Sequence, residues 1–402
     1  MTTKTGNIKK KSRGPDSGSS YLTAGQGSFL NTLLNSNAAV SALVVIFGFL
    51  TATLILVIIG RNPSGMYQAV VQVVSGFDSR RGTWNSRYVG EWLVLSLPLI
   101  LCGLSMGFAA RAGLFNIGAE GQYIAGLTAA QAAAVSFTRV LGDQVNIFHI
   151  TAALLCAILA GAVCGGICGF FKARYKVSEV VSTIMMNYIA LYVHRIITLR
   201  IPGSNTFRTV DFSISLSNSF LSSITNNSRL NNGVWLTIAA LIIYSLIMEK
   251  SALGFALRAA GFNRDAAMYA GIRVKTNITI AMAISGAFAG LAGAVVSLGL
   301  FSHGRVLTAF EGYGFDGIAI ALAGNSTAGG IAVMGLLFGM LKSAQPLMQS
   351  RQIPREIVTI IMGLVVVFIS LRPGIYIFLN YLEKKKFRLS QRSSAREKEG
   401  SL

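Results

Sequence analysis

Charge is scarce in this sequence. Asp, Glu, Lys and Arg make up only 12% of its 402 residues, whereas apolar residues make up 52%. A soluble domain of this size usually has about a quarter of its residues charged. The composition therefore excludes most soluble classes and indicates a protein that lies in a lipid bilayer.

Acidic residues are scarcer still, with 15 Asp and Glu against 35 Lys and Arg and a formal net charge of +20. In a soluble protein this excess would indicate binding to nucleic acid. Here the basic residues lie at the ends of the chain and between apolar runs, where they set the orientation of a membrane protein. Nucleic acid is therefore not the expected partner.

The residue types that build active sites are few and scattered. The four cysteines lie inside apolar runs without a Cys-x-x-Cys pair, and the three histidines lie on separate segments, so no metal site, disulfide or nucleophile–base pair is predicted. The chain also lacks the GxxxxGK[ST] loop that binds ATP phosphates. We expect a chain that is not an enzyme and that holds no metal or cofactor of its own.

The apolar runs predict an all-α polytopic membrane protein with about ten transmembrane segments, some of them short or broken. Such a span needs about 20 apolar residues. The stretch 315–341 is interrupted at 324–330 by Gly, Asn, Ser and Thr, and it counts as one span or as two short ones. The other predicted spans are 39–59, 93–110, 117–137, 150–171, 180–199, 234–248, 278–301 and 357–371.

Basic residues favour two short spans in 315–341, because ten crossings put both basic ends of the chain on one side. Under this topology 22 of the 35 basic residues lie inside. We expect a disordered cytoplasmic tail at 1–38, a transmembrane domain at 39–381 and a basic cytoplasmic tail at 382–402. The loop 249–276 then lies inside, and the loop 201–233 lies outside.

A weak internal repeat relates the two halves. The sequence FNIGA at 115–119 and FDGIA at 315–319 each begin an apolar segment after a break that contains glycine. Paired broken segments are typical of transporter halves, with a path near the midplane where the halves meet. Ionisable residues inside the spans are few, which disfavours a carrier that is driven by ions.

The loop at 253–272 is too polar to cross a membrane. Its pattern predicts two short helices that are interrupted at Gly261 and stopped at Gly271. From periodicity alone the loop fits a docking surface for a partner as well as a helix on anionic headgroups.

Four motifs in order resemble the permease subunits of bacterial ATP-binding cassette importers of the sugar, nucleoside and branched-chain amino acid type. The motifs are GLFNIGAEGQ at 113–122, SEVVSTIMMNY at 178–188, GFALRAAGFNRDAAMYAGI at 254–272 and GFDGIAIALAG at 314–324. The resemblance runs from about 88 to 371, and the first two motifs are most similar to the nucleoside branch, which carries purine nucleosides such as guanosine.

The resemblance implies a function and a set of partners. The chain would translocate nucleosides that an external binding lipoprotein delivers, together with a second permease, identical or not, and a cytoplasmic ATPase that holds ATP and Mg²⁺. It would lie in the bacterial cytoplasmic membrane with both termini inside. The alternatives are a permease for ribose, other simple sugars or branched-chain amino acids and, from a different class, an ion-coupled secondary carrier that works alone.

The resemblance also implies residue roles. The loop would couple transport to ATP hydrolysis through seven residues: Gly254, Arg258, Gly261, Asn263, Ala266, Ala267 and Gly271. The substrate path would run near five polar residues: Asn116, Glu120, Gln122, Asn187 and Asp316. For Glu120 and Asp316 a structural role is favoured, in which amides at a helix end satisfy the carboxylate.

Overall fold

The computed structural model describes residues 37–141 and 146–370, without the side chains of 37–44, 141 and 368–370. The predicted tail at 382–402 lies outside the described residues, as does the tail at 1–38 apart from its last two residues. From Val44 onward the described chain forms one compact unit.

Helices dominate the described residues. In chain order they are α1 (Asn37–Ile58), α2 (Ser64–Ser75), α3 (Arg87–Arg111), α4 (Ala119–Leu141), α5 (Ile147–Tyr175), α6 (Glu179–Leu199), α7 (Ser219–Ile224), α8 (Gly233–Ser245), α9 (Ala252–Phe262), α10 (Arg264–Tyr269), α11 (Val274–Leu300), α12 (Tyr313–Ala323), α13 (Ala328–Gln349) and α14 (Glu356–Ser370). A π-helical turn, Leu246–Lys250, follows α8.

Four short strands lie in the loops. They are β1 (Phe77–Asp78), β2 (Thr83–Trp84), β3 (Arg208–Asp211) and β4 (His303–Arg305). The first two form an antiparallel hairpin. Strand β3 pairs antiparallel with β4, with Arg208 opposite Arg305 and Asp211 opposite His303, which fastens the predicted external loop to the segment after α11.

The predicted fold class, an all-α polytopic membrane protein, is confirmed. Within the described residues six helices are long and apolar enough to cross a membrane, and four shorter apolar helices accompany them. Helix α4 is 23 residues long but is not among either group. It is largely buried between α5, α6 and α11, so few of its side chains need to suit lipid. The count of ten crossings stays a prediction.

Helices α5 and α11 pack through two rows of small residues. Gly161 lies against Gly286 and Gly290, and Gly165 lies against Met282, so closely that a Cβ at either glycine would overlap backbone atoms of α11. Lipid offers helices no hydrophobic drive to associate, and close backbone contact supplies van der Waals attraction instead. The contact between α5 and α11 is the most extensive one between two helices of the described residues.

The predicted break in 315–341 is present, since α12 and α13 are separate helices with a turn at 324–327. Asn325 and Ser326 have positive φ angles of 55° and 50°, a conformation that ends a helix. The hydroxyl of Thr327 then accepts a hydrogen bond from the amide of Gly330 at 3.1 Å and caps α13.

The loops gather at two ends of the unit. At the end that the charge rule predicts to be cytoplasmic, called the inner end here, Arg111 pairs with Glu249 and Gly113 lies against Gly261. The 324–327 turn lies at the same end, because the hydroxyl of Tyr244 donates to the carbonyl of Ser326 at 2.7 Å.

The opposite end, called the outer end, gathers the loops around 76–86, 224–232 and 350–355. Arg229 donates to Glu91 at 2.6 Å, and Arg351 donates to Gln72 at 2.7 Å. The residues after α13 therefore meet the loop between the predicted spans 39–59 and 93–110, which the predicted topology also places outside. This grouping supports the division of 315–341 into two crossings, while the side that faces the cytoplasm stays a prediction.

Candidate functional site

Helix α12 begins in the interior of the helical unit. Its fifth residue, Gly317, lies against Cys102 on α3, which is about 13 Å along that helix from Arg111 at 1.5 Å per residue. Residues 306–312, which lead into α12, are not helical. Irregular backbone therefore reaches a depth where membrane proteins permit it only next to protein or water.

Glu120 holds the start of α12. One carboxylate oxygen accepts from the amides of Glu311 at 2.9 Å and Gly312 at 2.8 Å, and the other accepts from the amide of Gly314 at 2.6 Å. The side chain is fully buried. It satisfies amides that a helix start leaves free and places a negative charge at the positive end of the helix.

The stretch that leads into α12 is bonded to α4 and α6 as well. The side-chain amide of Gln131 accepts from the amide of Arg305 at 3.0 Å and donates to its carbonyl at 3.2 Å. His194 accepts from the amide of Leu307 at 3.0 Å through Nε2, and its Nδ1 lies 2.8 Å from the hydroxyl of Thr128. Sequence reasoning missed these residues.

One signal could have found Gln131. It lies eleven residues after Glu120, so both project from one face of α4, and Tyr123 lies on the adjoining strip. The hydroxyl of Tyr123 donates to Glu311 at 2.6 Å, and Glu311 also pairs with Arg305. A polar stripe along an otherwise small-residue helix thus marks where the irregular segment lies.

Asn116 and Gln122 form a closed pair just before α4 and in its first turn. The Asn116 side chain donates to Gln122 at 2.8 Å and to the hydroxyl of Ser285 at 2.7 Å, and Gln122 donates back at 3.2 Å. Both side chains are fully buried. Their amides are therefore used inside the subunit, with Ser285 as a partner that the sequence did not indicate.

Asn187 fastens α6 to the same place. Its side-chain oxygen accepts from the amide of Gly121 at 2.8 Å, and its nitrogen donates to the carbonyl of Ile117 at 3.1 Å. Four of the five predicted path residues therefore surround the start of α4. The fifth, Asp316, is held on α12 by Lys342 of α13 at 2.5 Å.

The two halves of the predicted repeat meet here, although in different registers. Gly314 lies against the backbone of Ala119 and Glu120 so closely that a Cβ would overlap it, which puts the starts of α4 and α12 in contact. Phe115 precedes α4, whereas Phe315 lies inside α12. The repeat therefore relates two helix starts without superimposing them residue by residue.

The loop between α8 and α11 forms the two predicted helices, but the predicted break at Gly261 is wrong. Gly261 lies inside α9, and the break is at Asn263, whose side chain accepts from the amides of Asp265 and Ala266, both at 3.0 Å. This cap starts α10. Gly261 has a different use, because a Cβ there would lie 2.7 Å from the backbone of Ala112.

The other predicted coupling residues hold the loop in place. Gly254 packs against the carbonyl of Ile247 in the π-helical turn. Arg258 lies 4.0 Å from Glu249, which also pairs with Arg111 at the end of α3. Gly271 has a φ of 82° just after α10, and it ends the second helix as predicted.

Apolar side chains project from this loop into open space. Phe262 is 90% exposed and Tyr269 is 93% exposed. Ala266 is exposed as well, whereas Ala267 is buried. Large exposed apolar groups rimmed by polar residues mark interaction sites. Sequence reasoning singled out the small and polar residues of the loop and passed over these two aromatic residues.

Comparison with known families identifies the family of this chain. Residues 88–370 match the family described as branched-chain amino acid transport system / permease component. The chain belongs to this permease family. It is a multi-pass membrane protein and a transport subunit, and importers of this kind have separate ATP-binding and substrate-binding partners.

Relatives of the permease carry different substrates. It is 39% identical to the guanosine ABC transporter permease protein NupP of Bacillus subtilis, over 87% of this chain and 98% of the relative. It is 34% identical to the nucleoside ABC transporter permease protein NupB of Lactococcus lactis, over 90% and 97%. It is 30% identical to the glucose ABC transporter permease protein TsgB13 of Haloferax volcanii, over 69% and 75%.

Proposed function

We propose that the permease translocates nucleosides, purine nucleosides among them, which an external binding protein delivers and a separate ATPase drives across the membrane. The observation that carries this proposal is the likeness to guanosine and nucleoside permeases over nearly the full length of both relatives. We place the protein in a bacterial cytoplasmic membrane with both termini inside and with a second permease, identical or not, beside it.

The α9–α10 loop is the proposed docking site of the ATPase, which holds ATP and Mg²⁺. The exposed rings of Phe262 and Tyr269 offer apolar contacts, and Ala266 between them leaves room for a partner. An apolar core within a polar rim is the usual composition of such an interface.

Contacts inside the permease offer a route from this loop to the interior. Gly261 lies against the backbone that links α3 to α4, and Glu120 at the start of α4 holds the start of α12. A displacement of the loop would therefore act on the two helix starts where the halves meet. Broken helices that meet at mid-membrane are where transporters of many folds bind their cargo.

The five predicted path residues remain candidates for this region, in a modified role. The side-chain amides of Asn116, Gln122 and Asn187 are bonded within the subunit. Glu120 accepts from backbone amides there, and Asp316 pairs with Lys342. We propose that they shape the wall of the path and hold its backbone.

A sugar is the second candidate cargo, favoured by the likeness to a glucose permease. Uptake of labelled guanosine, in cells that lack other nucleoside importers and carry the complete importer with or without this chain, separates the two. We expect uptake only with the chain, competed by other nucleosides far better than by ribose, glucose or leucine. Equal competition by a sugar would overturn the nucleoside assignment.

A further inference from the structure

Three aromatic rings form a row on an open face beside the start of α12. The ring of Tyr188 lies edge-on to that of Phe310, with centroids 5.2 Å apart, and Phe310 lies edge-on to Phe315 at 5.8 Å. Tyr188 is 48% exposed and Phe315 is 40% exposed. Tyr192, one helical turn after Tyr188 on α6, extends the row and is exposed as well.

This aromatic row lies at the depth of the membrane centre. Tyr188 is close to the middle of α6, a candidate membrane span, and Phe310 belongs to the non-helical stretch before α12. Thr308 and Ala309 of that stretch are exposed. Exposed irregular backbone does not face lipid at this depth, because its polar groups would have no partner there. The face must therefore meet water or protein.

Hydrogen bonds hold the same stretch in place. His194 accepts from the amide of Leu307, and Glu120 accepts from three amides at the helix start. The segment is thus fixed to α4 and α6, and its one aromatic ring, Phe310, lies between Tyr188 of α6 and Phe315 of α12. A rigid backbone that displays flat rings is the arrangement that binds a flat ligand with little loss of conformational entropy.

We propose that Tyr188, Phe310 and Phe315, extended by Tyr192, form a stacking site for the nucleoside base at the middle of the translocation path. The inference rests on the proposed function, which supplies a cargo with a flat base. Aromatic side chains stack on every base through its π-face and tolerate differences between bases. Such a site guides a nucleoside without the fixed charge that would hold it too tightly for passage.

Uptake by the complete importer, assembled with its ATPase, second permease and binding protein, gives the first test. We expect Tyr188→Leu and Phe315→Leu to slow guanosine uptake roughly tenfold, the loss of about one stacking contact, whereas Tyr188→Phe keeps most of the rate. Trp235→Leu is the matched control, because Trp235 is an exposed aromatic residue on α8 away from the row. Co-purification of the partners shows that each variant still assembles.

Thiol labelling gives the second test and does not depend on transport rates. In a background in which the accessible Cys156 and Cys164 are replaced by serine, Tyr188→Cys should react with a water-soluble thiol reagent, and guanosine should slow that reaction severalfold in the assembled importer. Val193→Cys is the matched control, since Val193 is also exposed on α6 but lies about 140° around the helix.

Each outcome decides the matter. Normal uptake by both leucine variants, a Tyr188→Cys variant that does not react with the reagent, or a reaction that guanosine leaves unchanged would overturn the stacking site alone. Loss of the second permease on purification of Tyr188→Leu would make the row a subunit contact and would also overturn it. A wild-type importer that takes up no nucleoside would overturn the proposed function, and this inference with it.

Discussion

The start of α4 and the α9–α10 loop are both polar segments in an apolar chain, yet they use their polar groups in opposite ways. At the start of α4, Asn116, Glu120 and Gln122 are fully buried and bonded within the subunit. In the loop, polar residues such as Asn263 fix the backbone while Phe262 and Tyr269 project outward. Polarity in a membrane protein therefore does not by itself identify a contact surface.

The difference follows from the cost of leaving polar groups unpaired. In the interior every amide and carboxylate needs a partner, and an unsatisfied buried group costs about 1–3 kcal/mol. At the inner end water can serve that need, so the chain is free to display apolar side chains to a partner. The comparison predicts that changes at the α4 start act on folding, while changes in the loop act on coupling.

Glu120→Leu tests the first half of this comparison and should have the largest effect. It leaves the amides of Glu311, Gly312 and Gly314 without their acceptor. At about 1–3 kcal/mol for each buried group, the loss approaches the whole stability of a typical domain, about 5–15 kcal/mol. We expect little folded permease in membranes, measured by immunoblot and by size-exclusion chromatography in detergent.

Glu356→Gln is the control for this variant, because Glu356 is exposed at the start of α14 and pairs with the exposed Arg355. It should leave the amount of folded protein unchanged. Wild-type abundance and thermal stability in Glu120→Leu would mean that α12 does not depend on α4 for its start.

Ala266→Arg tests the second half and should abolish transport without affecting folding. Its side chain is exposed, so an arginine fits without disturbing the permease but obstructs a partner that approaches Phe262 and Tyr269. We expect at least a tenfold loss of nucleoside uptake and of co-purified ATPase, at a normal level in the membrane. Ser223→Arg, at an exposed position of the outer end, should change neither uptake nor co-purification of the ATPase. Normal uptake by Ala266→Arg would show that the loop is not the docking site.

The sequence predicted what depends on local composition. The long apolar run at 150–171 is the core of α5 (Ile147–Tyr175), and the cluster of Gly, Asn, Ser and Thr at 324–330 does separate α12 from α13. Both features follow from rules that act over a few residues, namely hydropathy and turn chemistry. Boundaries moved by a few residues, as in α5, which extends past its apolar run at both ends.

Features that depend on contacts between residues far apart in the chain could not be predicted from the sequence. The sequence predicts helix-end amides near Glu120, but nothing local indicates that those amides lie 191 to 194 residues further on. The sequence predicts a helix break at Gly261, whereas this glycine lies inside α9 and leaves room for the backbone of Ala112. The exposure of Phe262 and Tyr269 could not be read from periodicity, because a break at Asn263 separates the two helices.

Asn187→Leu sharpens the comparison, with an intermediate effect. Leucine fills a similar volume but removes the acceptor of the Gly121 amide and the donor to Ile117. We expect a loss of about 1–3 kcal/mol in stability, seen as a lower melting temperature in detergent together with slower uptake. Ile189→Leu, on the exposed side of α6, should be neutral. Slower uptake at full thermal stability would show instead that the Asn187 amide acts on the cargo.

Arg258→Gln should have the smallest effect on the permease itself and for that reason reports on the partner. Arg258 lies 4.0 Å from Glu249, whose side chain is 49% exposed, and exposed ion pairs contribute about 0–1 kcal/mol. Glu249 also keeps its pair with Arg111. The melting temperature should therefore stay close to that of the wild type. If Arg258 also meets the ATPase, co-purification should fall severalfold at low salt. High salt should then weaken the wild-type complex more than that of the variant, because only the wild type keeps the charged contact. A variant that binds the ATPase normally would restrict the docking surface to Ala266 and the two exposed aromatic residues.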